Sequence, residues 1–214
     1  MKWSYILDDK DTALTRYATS KSIEDKCTWQ ADTLEYILEN YSNKSFRRCI
    51  DAGANYGFLT AGFARHFDKV DAFEISSDIR SHLIKNVKSF ENVEVHNYGL
   101  YSKSSNVDFY FAESSGTSRI GTPKPNRIEK VIDLDSYNYT DVDLIKIDVE
   151  GSEHLLIQGA EKTIKQTYPV IVVEMHCTRD KRSFNNRQYI INFLYNLGYK
   201  IVDVRHCDFL FTKE

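Results

Sequence analysis

Strand-like and helix-like apolar patterns alternate along most of this chain, and the last two strand-like stretches stand too close together for a helix to fit between them. Residues 48–51 read as a strand running into a Gly-rich turn. A helix over about 57–67 follows, with Leu59, Phe63 and Phe67 on one face. A strand over 70–74 leads to a helix capped by Ser76 or Ser77, with Ile79, Leu83 and Val87 along one side. The series continues with strands over 93–97, 142–148 and 169–174, and helices over 152–167 and 187–197, the latter stopped by Gly198. Helices between successive strands imply a parallel sheet covered on both faces. Strands over 199–204 and 209–212 are separated only by residues 205–208, so they must pair antiparallel. The fold class is therefore α/β and Rossmann-like, a mostly parallel sheet with helices on both faces and a C-terminal antiparallel hairpin.

A chain of 214 residues fits one such domain. Residues 1–46 form an N-terminal segment whose apolar positions over 25–41 predict an amphipathic helix, a lid or cap for the domain at 47–214. Residues 102–130 interrupt the rhythm with an inserted hairpin and loop, including a strand over 107–111 and a stretch rich in Gly, Ser, Thr and Pro over 114–126. That stretch reads as a mobile loop closing over an acceptor. The 28 basic and 31 acidic residues are interspersed, which gives no strong nucleic-acid signal, because backbone-driven binding needs a concentrated basic surface. Cys27, Cys49, Cys177 and Cys207 show neither metal nor disulfide spacing and read as reduced thiols. Acids at Asp8 and Asp9 come too early for a signal peptide, and no run approaches the roughly 18 to 20 apolar residues of a membrane span. A cytoplasmic protein is expected.

Asp51-Ala52-Gly53-Ala54-Asn55-Tyr56-Gly57 sits where the first strand hands over to a helix, the crevice where doubly wound sheets bind nucleotide-like ligands. Gly53 lets backbone approach a ligand, and Gly57 can open the helix. The spacing is not GxGxxG. Asp51 and Asn55 offer side-chain partners suited to the carboxylate and ammonium of a methionine group. Glu74, 23 residues after Asp51 and at the end of the second strand, can accept both hydroxyls of a ribose.

The chain resembles the FkbM-type methyltransferases through this loop, Ala72-Phe73-Glu74, Asp143-Leu144-Ile145-Lys146-Ile147-Asp148-Val149-Glu150-Gly151-Ser152-Glu153, and Val172-Val173-Glu174-Met175-His176. These motifs span about residues 47–204. Ile75 stands where the family often has Pro. The resemblance implies binding of S-adenosyl-L-methionine, with S-adenosyl-L-homocysteine as product, and methylation of a hydroxyl on a sugar, glycan or small-molecule scaffold. The cofactor-binding candidates are Asp51, Gly53, Asn55, Tyr56, Gly57, Thr60, Glu74, Ile75, Gly99, Leu100 and Asp148.

Methyl transfer from a sulfonium needs alignment and removal of a proton from the acceptor. The catalytic candidates are Asp148 and Glu150 after the fourth parallel strand, and Glu174 and His176 at the fifth. Lys146 lies in a strand buried on both faces and must be paired there, with Asp51 and Glu174 on neighbouring strands as the expected partners. A divalent cation on Asp148, Glu150, Glu174 and His176 is a less favoured alternative, and no metal ligand is assigned. Rival readings are an aminopropyl transferase, an NAD-linked oxidoreductase and a cofactor-binding module without turnover.

Overall fold

The computed structural model describes residues 31–39, 45–112, 118–175, 181–205 and 207–213. In chain order the helices are α1 (Ala31–Glu39), α2 (Phe58–Phe63), α3 (Ser77–Val87), α4 (Glu153–Gly159), α5 (Glu161–Thr167) and α6 (Lys181–Asn196). The strands are β1 (Arg48–Ala52), β2 (Lys69–Phe73), β3 (Val93–His96), β4 (Gly99–Leu100), β5 (Ser105–Tyr110), β6 (Arg119–Ile120), β7 (Arg127–Ile132), β8 (Val142–Ile147), β9 (Val170–Glu174), β10 (Lys200–Arg205) and β11 (Asp208–Thr212). A seven-stranded sheet runs β10-β11-β9-β8-β1-β2-β3. Its first five strands in sequence are parallel, while β11 lies antiparallel to both β9 and β10. The fold is thus the Rossmann-like α/β class with the expected terminal hairpin. The strand order reverses between β1 and β8, which opens a crevice at their C-terminal ends.

Side-chain alternation along the strands builds two cores. Ile50, Ile145, Ile171 and Phe211 face α4, α5 and α6 through Leu156, Ile164, Ile190 and Leu194. Cys49, Leu144, Val172 and Leu210 face α1 and α2 through Tyr36, Ile37, Leu59 and Phe63. Ile79, Leu83 and Val87 are the buried residues of α3, as the periodicity predicts. At the foot of the sheet Arg48 pairs with Asp71 and with Asp141 at 2.8 Å, while Asp71 Oδ1 accepts from Tyr139 at 2.8 Å and meets His96 Nε2 at 2.7 Å. Burial alone would raise the Asp71 pKa, but His96, Tyr139 and Arg48 outweigh it and hold it below the ordinary value.

Several local expectations need correction. The helix expected over 152–167 is broken at Ala160. A Cβ on Gly159 would overlap the Tyr101 carbonyl, and the Asp135 carboxylate accepts from Lys162 N at 2.9 Å and Thr163 N at 2.8 Å, capping α5 as a separate helix. Helix α2 stops at Phe63, and residues 64–66 continue as turns. Helix α6 starts six residues before its expected beginning at 187 and ends where Gly198 takes a φ of 87°, with Tyr199 N donating to Leu194 O at 3.0 Å. Ser76 occupies the N-cap position of α3, but its hydroxyl makes no capping bond. Of the early helix expected over 25–41, residues 31–39 are helical; the rest of it and residues 1–24 lie outside the described residues.

The insertion forms a second sheet, β4-β7-β5-β6, in which β5 lies antiparallel to both β6 and β7. Phe109 and Val131 point inward from it, while Ile128 is exposed. This sheet brings β6 over the crevice.

Candidate active site

The crevice is lined by Gly53, Asn55, Glu74, Ile75, Gly99, Leu100, Asp148 and Glu150, all expected from the sequence. Phe73, Ile79, Phe109, Ser118, Arg119, Ile120 and Val149 join them. Ile79 and Phe109 were legible only as apolar positions of a helix and a strand, and Arg119 only as a loop charge. Their convergence comes from the second sheet, which no local pattern announces.

Four expected residues support the loop from behind. Asp51 is buried, with Oδ2 accepting from Thr60 Oγ1 at 2.6 Å, and burial pushes its carboxyl up to about 6. Tyr56 packs against Ile79, and its carbonyl accepts from Asn86 Nδ2 at 2.9 Å. Gly57 adopts a φ of 86°, and a Cβ there would stand 2.6 Å from Leu83 Cδ1. None of Asp51, Tyr56, Gly57 and Thr60 belongs to the crevice lining. Gly53 (φ 79°) does, yet its need for glycine is internal: a Cβ would overlap the Asp148 carbonyl oxygen, beside the bond from Asp148 N to Ala52 O at 3.0 Å. Gly99 leaves room for Ile75, whose Cδ1 a Cβ would approach to 3.0 Å.

Glu74 is 6% exposed, and both oxygens are held by backbone: Oε2 accepts from Asn55 N at 3.0 Å and Oε1 from Ser76 N at 2.8 Å. Burial pushes its carboxyl up to about 7 against these bonds. Each oxygen keeps a second lone pair for a ligand hydroxyl.

The other acidic groups gather on one face at the strand ends. Asp51, Lys146, Glu174 and Asp208 share the pleat face of Leu144, Val172 and Leu210, and Asp208 stands opposite Glu174 in the β11–β9 pair. Lys146 is 1% exposed, and its partners differ from those expected. Nζ lies 3.6 Å from Asp148 Oδ2 and 3.7 Å from Asp208 Oδ1, since the long stem carries it past its register neighbour Asp51. Burial opposes its charge, but Asp148, Asp208, Glu174 and Asp51 outweigh it and raise its pKa. Glu174 is pushed up to about 8 by burial first, then by the charge of Asp148 and a hydrogen bond shared with it.

Glu150 takes a φ of 54° and Gly151 a φ of 101°, a left-handed turn that swings the chain out of β8. Beyond it lies a second cavity of about 310 Å³, which shares Arg119, Ile120 and Glu150 with the crevice. His176 lies outside the described residues, as do Cys27 and Cys177; Cys49 is a buried free thiol. The metal-compatible grouping among the described residues is Asp71, Glu94 and His96 rather than Asp148, Glu150 and Glu174, and Asp71 there is already committed to Arg48. No helix among the described residues is long and apolar enough to cross a membrane.

A family model described as the methyltransferase FkbM domain matches residues 51–201. No curated protein matches the chain. The structure of methyltransferase FkbM from Methylobacillus flagellatus KT is 16% identical, covers 96% of this chain and 55% of its own length, and superposes with a TM-score of 0.57. The chain thus spans about half the length of that protein. An rRNA methylase from Streptococcus thermophilus is 15% identical (86% of this chain, 95% of that one, TM-score 0.51). A precorrin 8W decarboxylase from Methanobacterium thermoautotrophicum is 12% identical (86% and 90%, TM-score 0.53). At such identities these three show a common fold.

Proposed function

Since the chain belongs to the FkbM family of S-adenosylmethionine-dependent methyltransferases, we propose that it methylates a hydroxyl on a sugar, glycan or other small-molecule scaffold. One observation carries this reading: the crevice walled by Asp148 adjoins a second cavity of about 310 Å³, with Arg119, Ile120 and Glu150 lining both. Cofactor and acceptor would occupy adjoining spaces with carboxylates at the seam.

The crevice fits the cofactor by the chemistry of its lining. Glu74 offers acceptor oxygens to the ribose hydroxyls, Phe73, Ile75, Leu100 and Phe109 offer an apolar slot for the adenine, and Gly53 and Asn55 line the approach to the amino-acid end. The bound cofactor supplies an electrophilic methyl group on sulfur. The chain's own contribution is to orient an acceptor hydroxyl and take its proton at the Asp148 carboxylate. Glu174 shares a hydrogen bond with Asp148 and the Lys146 ammonium faces the same carboxylate, which fixes its position. His176 is the alternative base. The free thiol at Cys49 supports action in the cytoplasm. Incubation with methyl-labelled S-adenosylmethionine and panels of glycans and hydroxylated metabolites tests the reading. It fails if label reaches nitrogen or carbon rather than oxygen, or if the chain binds neither the cofactor nor its demethylated product.

A further inference from the structure

The cavity beside the crevice holds an excess of unanswered hydrogen-bond donors. Arg119 on β6 and Arg187 on α6 both line it, and among the described residues neither guanidinium has a hydrogen-bond or ion-pair partner. The two acids in its lining do not answer them. Glu153 is buried and accepts from Gly151 N at 2.7 Å, and Glu150 is not free either. Among the described residues the buried Thr122 hydroxyl has no hydrogen-bond partner, and the half-buried Asn186 amide makes no hydrogen bond. A buried hydroxyl left without a partner is unfavourable unless a ligand meets it. Met175 and Ile190 supply an apolar wall for a carbon skeleton.

We infer, on the premise of the reading above, that the methyl acceptor carries an anionic group, a carboxylate or a phosphate, which Arg119 and Arg187 bind. A neutral acceptor could satisfy Thr122 and Asn186 but would leave both guanidinium groups without an oxyanion partner. An oxyanion meets both forks, since planar guanidinium groups bind carboxylate and phosphate through paired hydrogen bonds. The charge also sets orientation, because the anion is held at the Arg119–Arg187 end while the hydroxyl turns toward the crevice.

Calorimetry on the chain saturated with S-adenosylhomocysteine, titrated with glucose, glucuronate and glucose 6-phosphate, tests this and separates the two anions. At least one charged sugar should bind tenfold or more tightly than glucose. Arg187→Gln should erase that preference without changing affinity for S-adenosylhomocysteine, and Arg187→Lys should retain part of it. Binding of glucose as tight as that of both charged sugars, no binding of either charged sugar, or a preference that survives Arg187→Gln would overturn the inference. Binding of S-adenosylhomocysteine in those cases leaves the methyl-transfer reading standing, whereas its absence removes both. Should Arg187→Gln not fold, raising the salt concentration on the unsubstituted chain gives the second readout: the preference must shrink as charge is screened, and a salt-independent preference would overturn the inference.

Discussion

The backbone N–H of Asn55 donates to Glu74 Oε2 at 3.0 Å, so the turn after β1 and the acid that follows β2 form one unit. Glu74 therefore shapes the turn before any ligand arrives. Glu74→Gln must turn its amide donor toward the N–H of either Asn55 or Ser76. It should weaken S-adenosylmethionine binding about ten- to hundredfold, the worth of one charge-assisted bond, and should also loosen the turn. Calorimetry with amide exchange at Asn55 checks both. An unchanged affinity removes Glu74 from the site.

Asp148→Asn keeps the side chain's shape and removes its basicity. Turnover should fall more than tenfold, within the roughly 10² to 10⁴ range of general-base contributions, while S-adenosylmethionine affinity changes only a few fold. His176→Gln is the matched comparison. If His176 is the base, its loss is the more severe, and the pH–rate profile flattens near neutrality. Full activity in both variants would leave proton removal to water.

The carboxyls of Asp51, Glu74 and Glu174 are pushed up to about 6, 7 and 8, in each case chiefly by burial. Between pH 5 and 8 the folded chain thus retains protons that the unfolded chain has released, so stability falls as pH rises through that window. Thermal melts without cofactor should show a lower Tm at pH 8 than at pH 5, and Glu174→Gln should flatten the upper part of the decline. A Tm that rises over this range contradicts the assignment.

Removing the cation from the cluster at the strand ends leaves Asp148, Asp208, Glu174 and Asp51 to repel one another. Lys146→Met should cost roughly 3 kcal/mol, the lower end for breaking a buried pair, because Asp148 and Asp208 are partly exposed. Urea unfolding measures it. The loss should diminish at low pH as the carboxyls protonate.

Two glycines with positive φ separate crowding from conformation. Gly53→Ala would drive a Cβ into the Asp148 carbonyl, whereas a Cβ on Gly151 meets nothing within 4 Å. Gly151→Ala should cost only the conformational strain, about 1 to 2 kcal/mol, and Gly53→Ala distinctly more. Equal costs in chemical denaturation would mean that β1 and β8 can part.

The main sheet was legible because its signals are local. Ile79, Leu83 and Val87 mark the buried face of α3 by spacing alone, and four residues between two strands leave only an antiparallel hairpin. Gly53, Glu74 and Asp148 follow from being at strand ends. What stayed hidden depends on distant partners. Ala160 is a good helix former, and the break there is imposed by Tyr101 and Asp135. Lys146 signalled a buried charge, but its reach to Asp208 depends on β11 lying two strands away. Phe109, Arg119 and Ile120 reach the crevice only once β5, β6 and β7 have assembled.

Strand β11 lies between β9 and β10, although β10 precedes it in the chain. During synthesis β9 must therefore wait with one edge bare, through α6 and all of β10, until residues 208–212 leave the ribosome. β10 has no neighbour before then. Premature termination just before Asp208 would remove two strands from the finished sheet rather than one, and would leave Val170, Ile171, Val172 and Val173 on an open edge. Such a fragment is expected to aggregate through that edge, while truncation after Thr212 should be tolerated.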